Sequence, residues 1–186
     1  MPERCGWVSD DQLYQRYHDD EWGVPERDPR ALWELLMLEG FQAGLSWITI
    51  LRKRENFRAA FKGFDPNTIA TWGEDEVAAL LQDAGIIRHR GKIEGVIKSA
   101  QAWQKIEARE GFVPFIWAYV DDKPLQPARA DLGQVPSKTD ISERMSKDLK
   151  REGFKFCGPT ITYAFMQAAG LVNDHVVTCH SHAGLR

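Results

Sequence analysis

The chain has 186 residues, of which 43% are hydrophobic and 27% are charged, a composition that excludes a disordered, collagen-like or coiled-coil protein. The 24 basic and 27 acidic residues leave a net charge of −3, and this total taken alone argues against a nucleic-acid-binding protein. No stretch approaches the roughly 18 apolar residues of a membrane span, and residues 1–6 lack the apolar core of a signal peptide, so we expect a cytoplasmic protein without a membrane partner.

Helix signals follow one another along the chain, and no sustained alternation of apolar and polar residues marks a strand. The pairs Asp28-Pro29 and Asp65-Pro66 each combine a cap with a residue suited to the first helical position. Apolar spacing predicts further helices over 46–61, 74–82, 91–107, 145–151 and 159–170.

The ends of two predicted helices carry their own signals. Asp140 and Glu143 form a capping pair before 145–151, and Gly85 can close 74–82. The polar, proline-rich stretch 121–138 predicts a long connection or a lobe boundary. We therefore expect an all-α fold and one domain over 1–186, built as two helical lobes and monomeric at this size.

Positive charge is concentrated in three segments. Five bases accompany one acid in 51–62, four accompany one in 86–98, and five accompany two in 144–155. These segments could form one positive face for phosphates or three separate solvated helix faces, and charge alone leaves both interpretations open.

Four residues near the two ends of the chain are of the types that zinc prefers. His175 and Cys179 are four apart, a spacing that puts both on one side of a helix or tight turn. Cys5 and His18 would complete a four-coordinate, structural site that joins the C-terminal segment to the N-terminal one. The alternative is two plain thiols and two ordinary histidines, because the halves are about 160 residues apart.

Aromatic residues are dense before position 47, and one carboxylate lies in an apolar setting among them. Glu39 is surrounded by Met37, Leu38, Gly40 and Phe41, so its carboxylate needs a partner or a ligand. Trp7, Trp22 and Trp47 could line a pocket for a flat ligand such as a nucleobase, a cationic one above all. The alternative is that Glu39 points to water and that the aromatic residues are core.

Two glycines bracket the link between the last two predicted helices. Gly153 and Gly158 enclose Phe154, Lys155, Phe156 and Cys157. Glycines let the backbone approach a phosphate, and the following helix offers free N–H groups and its positive dipole end. The segment could bind DNA backbone without reading sequence, or it could simply be a tight αα-hairpin.

Considered together, these segments resemble the 3-methyladenine DNA glycosylase I family, a constitutive bacterial branch of the helix-hairpin-helix DNA glycosylases. The similarity runs from Glu3 to about Cys179. It is carried by Arg4-Cys5-Gly6-Trp7-Val8, Tyr17-His18-Asp19-Asp20-Glu21-Trp22-Gly23-Val24-Pro25, Leu38-Glu39-Gly40-Phe41-Gln42-Ala43-Gly44-Leu45-Ser46-Trp47, Ala84-Gly85-Ile86-Ile87-Arg88-His89-Arg90-Gly91-Lys92-Ile93 and Leu171-Val172-Asn173-Asp174-His175-Val176-Val177.

The resemblance implies a helix-hairpin-helix fold and a monofunctional hydrolase that flips N3-methylated adenine out of alkylated double-stranded DNA and removes it, leaving an abasic site without a lyase step. It implies one structural Zn²⁺ per chain and a catalytic Glu39. The residues implied to surround the base are Tyr17, Trp47, Trp7, Tyr14 and Trp22. Those implied to contact DNA are Leu45 as a wedge, Gly44, Gly153, Phe154, Lys155 and Gly158. Those implied to bind zinc are Cys5, His18, His175 and Cys179.

The basic loop at Arg88 and Lys92 and the helix carrying Arg52 are lesser candidates for contacts with phosphates. Aligning His175 with the wider superfamily puts Asn173 where a catalytic aspartate is usual, so that carboxylate is expected to be missing. Three alternatives stay open: a module that recognises alkylated DNA without cleavage, a zinc hydrolase acting on a small substrate, and a purely structural zinc domain.

Overall fold

A computed structural model describes residues 3–183, and over that range the chain is helical. Its α-helices are α1 (Gln12–Asp20), α2 (Pro29–Gln42), α3 (Trp47–Ala60), α4 (Pro66–Ile69), α5 (Glu74–Leu80), α6 (Arg90–Arg109), α7 (Phe112–Trp117), α8 (Asp140–Glu152) and α9 (Pro159–Ala168). Short 3₁₀ turns cover Lys62–Phe64, Ala118–Val120 and Leu132–Gln134. No helix among the described residues has the length and apolar character needed to cross a bilayer.

Most of the predicted helix starts are confirmed. The Asp28 side chain accepts hydrogen bonds from the backbone of Arg30 and Ala31, and Asp65 caps α4 in the same way. The predicted cap of α8 is wrong by one residue, because Thr139 and Ser142 form the reciprocal cap and Asp140 is already helical. Helix α5 ends at Leu80, so Gly85 does not close it.

Helix α2 lies at the centre of the fold and packs against α3, α6, α7 and α9. Its residues from 36 to 41 are all buried, which is the pattern of a helix surrounded by protein on every side. Trp33 and Leu38 are fully buried there. Glu39 follows Leu38 on the same helix, so it is carried into the interior with its apolar neighbours.

The long connection 121–138 returns to the C-terminal segment and pairs with it. Two isolated parallel bridges, Leu125 with Val172 and Arg129 with Val176, are the β pairing found within residues 3–183. The backbone N–H of His180 donates to the carbonyl of Glu3 at 2.9 Å. The two ends of the described chain therefore meet.

The link between α8 and α9 packs closely on the helices in front of it. Gly153 ends α8 in the left-handed region, with φ +111°, which an L side chain rarely adopts. A side chain at Gly95 of α6 would come within 3.0 Å of the Phe156 ring and 3.1 Å of Lys155 Cβ. A glycine at position 95 is therefore what lets this link approach α6.

Candidate active site

A cavity of about 190 Å³ lies between α1, α2, the start of α3 and α9. It brings together every residue that the sequence analysis assigned to the base pocket. These are Trp7, Tyr14, Tyr17, Trp22, Glu39 and Trp47. The predicted grouping of these six side chains is thus what the structure shows, although residues 7 and 47 are far apart in the sequence.

Glu39 is the unusual group of the cavity wall. Its side chain is buried, and Oε2 has no hydrogen-bond partner among the described residues. Burial raises the pKa of Glu39 to about 8, because the ionised form loses its hydration without gaining a cation. The carboxyl group is therefore a free hydrogen-bonding group that faces a cavity.

The aromatic walls fall into two layers. Tyr17 and Trp47 have ring centroids 5.4 Å apart, and both are nearly inaccessible to solvent. The ring centroid of Trp7 lies 5.0 Å from the ring centroids of both Tyr14 and Trp22. Burial raises the pKa of Tyr17 well above its ordinary value, and the Glu39 charge adds to this effect. The Tyr17 hydroxyl therefore keeps its proton and can donate it in a hydrogen bond.

Several residues of the cavity wall were not singled out from the sequence as pocket residues. They are Gln42, Leu132, Val135, Ala164, Gln167 and Asp174. Gln42 lies in the segment 38–47 that carries the family resemblance, one helical turn after Glu39. This spacing places the two side chains on the same face of α2 and could have indicated Gln42 as a cavity residue. Leu132 and Val135 come from the polar connection, where no pattern pointed to a site.

Asp174 bears on the expectation that the catalytic carboxylate of the wider superfamily is missing at Asn173. Its buried carboxylate lines the cavity and accepts hydrogen bonds from the Tyr163 hydroxyl, from Gln167 Nε2 at 3.0 Å and from Arg129 Nε at 3.3 Å. Asn173 faces another way, and its amide nitrogen donates to the His182 carbonyl at 2.9 Å. A carboxylate is present, but it comes from the residue after the aligned position and is held by three donors.

The four predicted metal ligands form one buried cluster, with their donor atoms all within 4.8 Å of one another. His175 Nδ1 lies 3.6 Å from Cys5 Sγ and 3.5 Å from Cys179 Sγ, and His18 Nε2 lies 3.5 Å from Cys179 Sγ. Two sulfurs and two ring nitrogens converge on one point, so this donor set could hold a metal ion.

The remaining nitrogen of each histidine is fixed by a neighbour. His18 Nδ1 lies 2.8 Å from Asp19, whose carboxylate also pairs with Arg4 at 2.6 Å. His175 Nε2 lies 3.1 Å from the Trp22 carbonyl. A donated N–H at these atoms leaves the lone pairs of Nε2 in His18 and Nδ1 in His175 directed at the cluster.

The Cys/His cluster packs against two aromatic residues of the cavity wall. The ring of Trp22 lies 4.7 Å from that of His175, and the ring of Trp7 lies 5.2 Å from that of His18. Both tryptophans also line the cavity. Trp7 and Trp22 are therefore in contact with both the Cys/His cluster and the cavity.

The turn between α2 and α3 presents Leu45. Ala43 has φ −49° and ψ 116°, Gly44 has φ +83°, and the Leu45 N–H donates to the Gln42 carbonyl at 2.7 Å. These values describe a type II turn, which requires glycine at its third position. Leu45 is 41% exposed, so the predicted wedge stands at the surface.

The residues predicted to contact DNA from the α8–α9 link differ in accessibility. Lys155 is exposed, and Gly158 immediately precedes α9. Phe154 is buried and stacks on Phe112, so only its backbone is left for such a contact. The exposed aromatic ring is that of Phe156, with 40% of its surface accessible.

The basic side chains of the three segments differ in whether they have acidic partners. Arg52, Arg54 and Arg58 of α3 are paired with Asp11, Glu21 and Glu34. The structure thus favours a salt-bridged face there over a phosphate-binding one. Arg88 and Lys155 are exposed and have no ion-pair partner within the described part of the chain. Lys92 is buried, which argues against its predicted contact with phosphates.

The sequence profile of the methyladenine glycosylase family matches residues 7–182. The chain therefore belongs to the methyladenine glycosylase family. It is 55% identical over 183 residues to DNA-3-methyladenine glycosylase 1 of Escherichia coli, covering 98% of both chains. It is 49% identical over 180 residues to DNA-3-methyladenine glycosylase of Haemophilus influenzae, covering 96% of this chain and 97% of the other.

Solved structures show the same fold. A crystal structure of 3-methyladenine DNA glycosylase I superposes with a TM-score of 0.95 at 55% identity, over 97% of this chain and 100% of the other. A structure describing 3-methyladenine recognition by the Staphylococcus aureus glycosylase superposes with a TM-score of 0.94 at 39% identity, over 96% of each chain. The similarity therefore extends over nearly the whole chain.

Proposed function

We propose that this chain is a base-excision repair glycosylase that flips N3-methylated adenine out of alkylated double-stranded DNA and hydrolyses its N-glycosyl bond. The observation that carries this proposal is the buried, unpartnered Glu39 carboxyl in a cavity walled by aromatic rings. An apolar pocket with one free acid is suited to a flat, positively charged base. Family membership supports the same activity.

Base entry depends on the aromatic wall. Extruding a nucleotide from a duplex costs a few kcal/mol, and least when the base is damaged. Stacking on Trp47 compensates part of that cost, and the protonated Tyr17 hydroxyl orients the base edge by donating a hydrogen bond. Trp7, Tyr14 and Trp22 close the pocket around the ring.

Glu39 acts as a binding and electrostatic residue, not as a nucleophile. Methylation at N3 gives adenine a positive charge while it is attached to the sugar. A cation in the cavity stabilises the ionised carboxylate, so Glu39 gives up its proton as the charged base enters. The resulting contact favours methylated over unmodified adenine, which carries no charge for Glu39 to offset.

The chemical step needs little from the protein, because the cationic base is already a good leaving group. The bond between C1′ and N9 breaks, its electron pair leaves with the base, and neutral 3-methyladenine departs. Water then adds to C1′ and loses a proton, which leaves an abasic sugar and an intact backbone.

We propose Zn²⁺ for the cluster of Cys5, His18, His175 and Cys179. In a tetrahedral zinc site, bonds of about 2.3 Å to sulfur and about 2.0 Å to nitrogen place these atoms about 3.5 Å apart. The sulfur–nitrogen distances of 3.5 to 3.6 Å fit that geometry. Four protein ligands would leave no open position, so zinc would be structural, which argues against a small-molecule zinc hydrolase.

We further propose that α8, the link 153–158 and α9 form a helix-hairpin-helix unit that grips the DNA backbone. Gly153, Phe154, Lys155 and Gly158 would contribute backbone and charge, with Leu45 and Gly44 at the lesion. The chain would act as one domain over 1–186, in two helical lobes, as a monomer in the bacterial cytoplasm where its DNA substrate lies.

Chromatography of the bases released from methylated duplex DNA tests this function. We expect release of 3-methyladenine in preference to 7-methylguanine, and no strand cleavage without an added lyase or alkali. Folded, zinc-loaded protein that binds methylated DNA and releases no base would instead favour the recognition module without cleavage. If Glu39→Ala excised the base at the wild-type single-turnover rate, the proposed electrostatic role of Glu39 would be wrong.

A further inference from the structure

Lys92 is a buried lysine whose ammonium group serves one short segment of backbone. It lies in the first turn of α6 and is 8% exposed. Its Nζ donates to the carbonyl of Phe41 at 2.9 Å and to the carbonyl of Ala43 at 2.8 Å. Phe41 lies in the last turn of α2, and Ala43 is the C-cap of α2 and the second residue of the turn that presents Leu45.

The positive charge of Lys92 opposes the dipole of α6 and complements that of α2. A cation in a first turn opposes the positive end of the helix dipole, whereas a cation at a last turn complements the negative end. The last carbonyls of a helix have no intrahelical donor. The Lys92 side chain leaves its own helix and satisfies two of them, which indicates that its role lies with α2.

The segment held by Lys92 joins two functional groups. Glu39 lies two residues before Phe41, and Trp47 begins α3 immediately after the turn. Gly44 has φ +83° and no atom within 4 Å of the position that a side chain would take. Gly44, Leu45 and Ser46 are all exposed, so the tip of the turn lies at the surface. The two hydrogen bonds from Lys92 tie the start of this turn to α6.

We propose that Lys92 is a positioning residue that fixes the Gln42–Ser46 turn, so that Leu45 can act on a duplex. This inference rests on the proposed glycosylase function. A wedge matters only while a base must be displaced from a paired stack, so the loss of Lys92 should impair duplex substrates far more than single strands. Since the ammonium group is buried against carbonyls, it should contribute nothing to phosphate binding.

Lys92→Met tests the proposal, because methionine is similarly long and unbranched but lacks the donors. Lys105→Met is the matched control, since Lys105 is an exposed lysine of the same helix. Single-turnover excision is measured on methylated duplex and on methylated single strands. We expect the duplex-to-single-strand rate ratio to fall about tenfold in Lys92→Met and to stay unchanged in Lys105→Met.

A double-mutant cycle with Leu45→Ala decides whether Lys92 acts through the turn. Non-additive losses in duplex rate support the proposal, whereas additive losses overturn it. The slope of log affinity for duplex against log salt concentration should match that of the wild type. A slope reduced by about one would make Lys92 a phosphate contact, and an unchanged rate ratio would also overturn the proposal.

Amide hydrogen exchange gives a readout that needs no activity. Lys92→Met should exchange faster than the wild type in the peptide covering residues 42–47, and at the wild-type rate in α8. Uniformly faster exchange would mean general destabilisation and would overturn the proposal. If the wild-type protein released no base from either substrate, the glycosylase function would fail, while faster exchange confined to residues 42–47 would still support the role of Lys92 in the turn.

Discussion

Asn173 and Asp174 are neighbours in sequence, yet only Asp174 lines the cavity around Glu39, because Asn173 turns away to the His182 carbonyl. Asp174 Oδ2 accepts from Tyr163 and Gln167, and Oδ1 accepts from Arg129. The buried carboxylate is thus fully engaged with the scaffold. It shapes one wall of the cavity and joins α9 to the long connection.

Asp174→Asn should therefore act mainly on stability. The substitution removes the charge that pairs with Arg129 and one acceptor of the Tyr163 hydroxyl, and breaking such a buried network costs about 2–4 kcal/mol. Urea denaturation measures this loss. A variant that keeps wild-type stability and still loses excision would instead make Asp174 a group that acts on the substrate.

Glu39→Gln should raise the stability of the fold near pH 8 and at the same time impair base excision. The unfolded chain releases the Glu39 proton near pH 4.5, whereas the folded protein keeps it up to about pH 8. The stability contributed by the protonated form is complete below pH 4.5 and is lost as the pH rises through 8. At pH 8 we expect Glu39→Gln to raise the free energy of unfolding by about 1–3 kcal/mol.

Denaturation curves between pH 5 and 9 check this sign, with Asp10→Asn at an exposed carboxylate as the control. Excision by Glu39→Gln should fall at least tenfold at pH 7. Equal stability of wild type and Glu39→Gln at both ends of the range would show that Glu39 finds a partner in solution.

Trp47→Ala should weaken the binding of free 3-methyladenine. Removing an aromatic stacking partner costs about 1–3 kcal/mol, which corresponds to an affinity between about fivefold and 150-fold lower. Calorimetric titration gives the affinity. Trp72→Ala is the control, because Trp72 packs on Phe61 and does not line the cavity. Equal losses in both variants would indicate general destabilisation rather than lost stacking.

Asp19→Asn should lower the affinity of the Cys/His cluster for zinc. Asp19 fixes the His18 ring through Nδ1, and loss of such an outer partner typically reduces metal affinity about 10- to 100-fold. Competition with a chromophoric chelator measures the change. Asp20→Asn provides the control at the next, exposed position, and an equal effect there would remove the argument for a specific Asp19–His18 contact.

Lys155→Ala should reduce the salt dependence of duplex binding by about one unit of slope, because a phosphate contact releases one counterion. Arg52→Ala should leave the slope unchanged, since Arg52 is already paired with Asp11 at 2.6 Å. Fluorescence anisotropy at several salt concentrations measures both slopes. The reverse order of effects would place the DNA across α3 instead of the α8–α9 link.

Local signals predicted the helices well where a cap or an apolar stripe marked them, as at Asp28 and Asp65. The sequence also predicted that six side chains now found in one cavity wall, and four residues now found in one Cys/His cluster, belong together. This prediction was possible only after the resemblance joined segments that spacing left independent. The hydrogen-bond and ion-pair partners of the basic side chains were not predictable from the sequence. Whether Lys92 faces phosphate or carbonyl, and whether Arg52 is free, depends on helices that meet only in the folded chain.

The cavity walls come from both ends of the chain, and this has a consequence for synthesis on the ribosome. Trp7, Glu39 and Trp47 are synthesised early, whereas Gln167, Asp174, His175 and Cys179 follow much later in the chain. A nascent chain that has not reached residue 174 has neither a complete pocket nor four metal ligands. The cavity wall can therefore be completed only after residue 174 has been synthesised, and the Cys/His cluster only after residue 179.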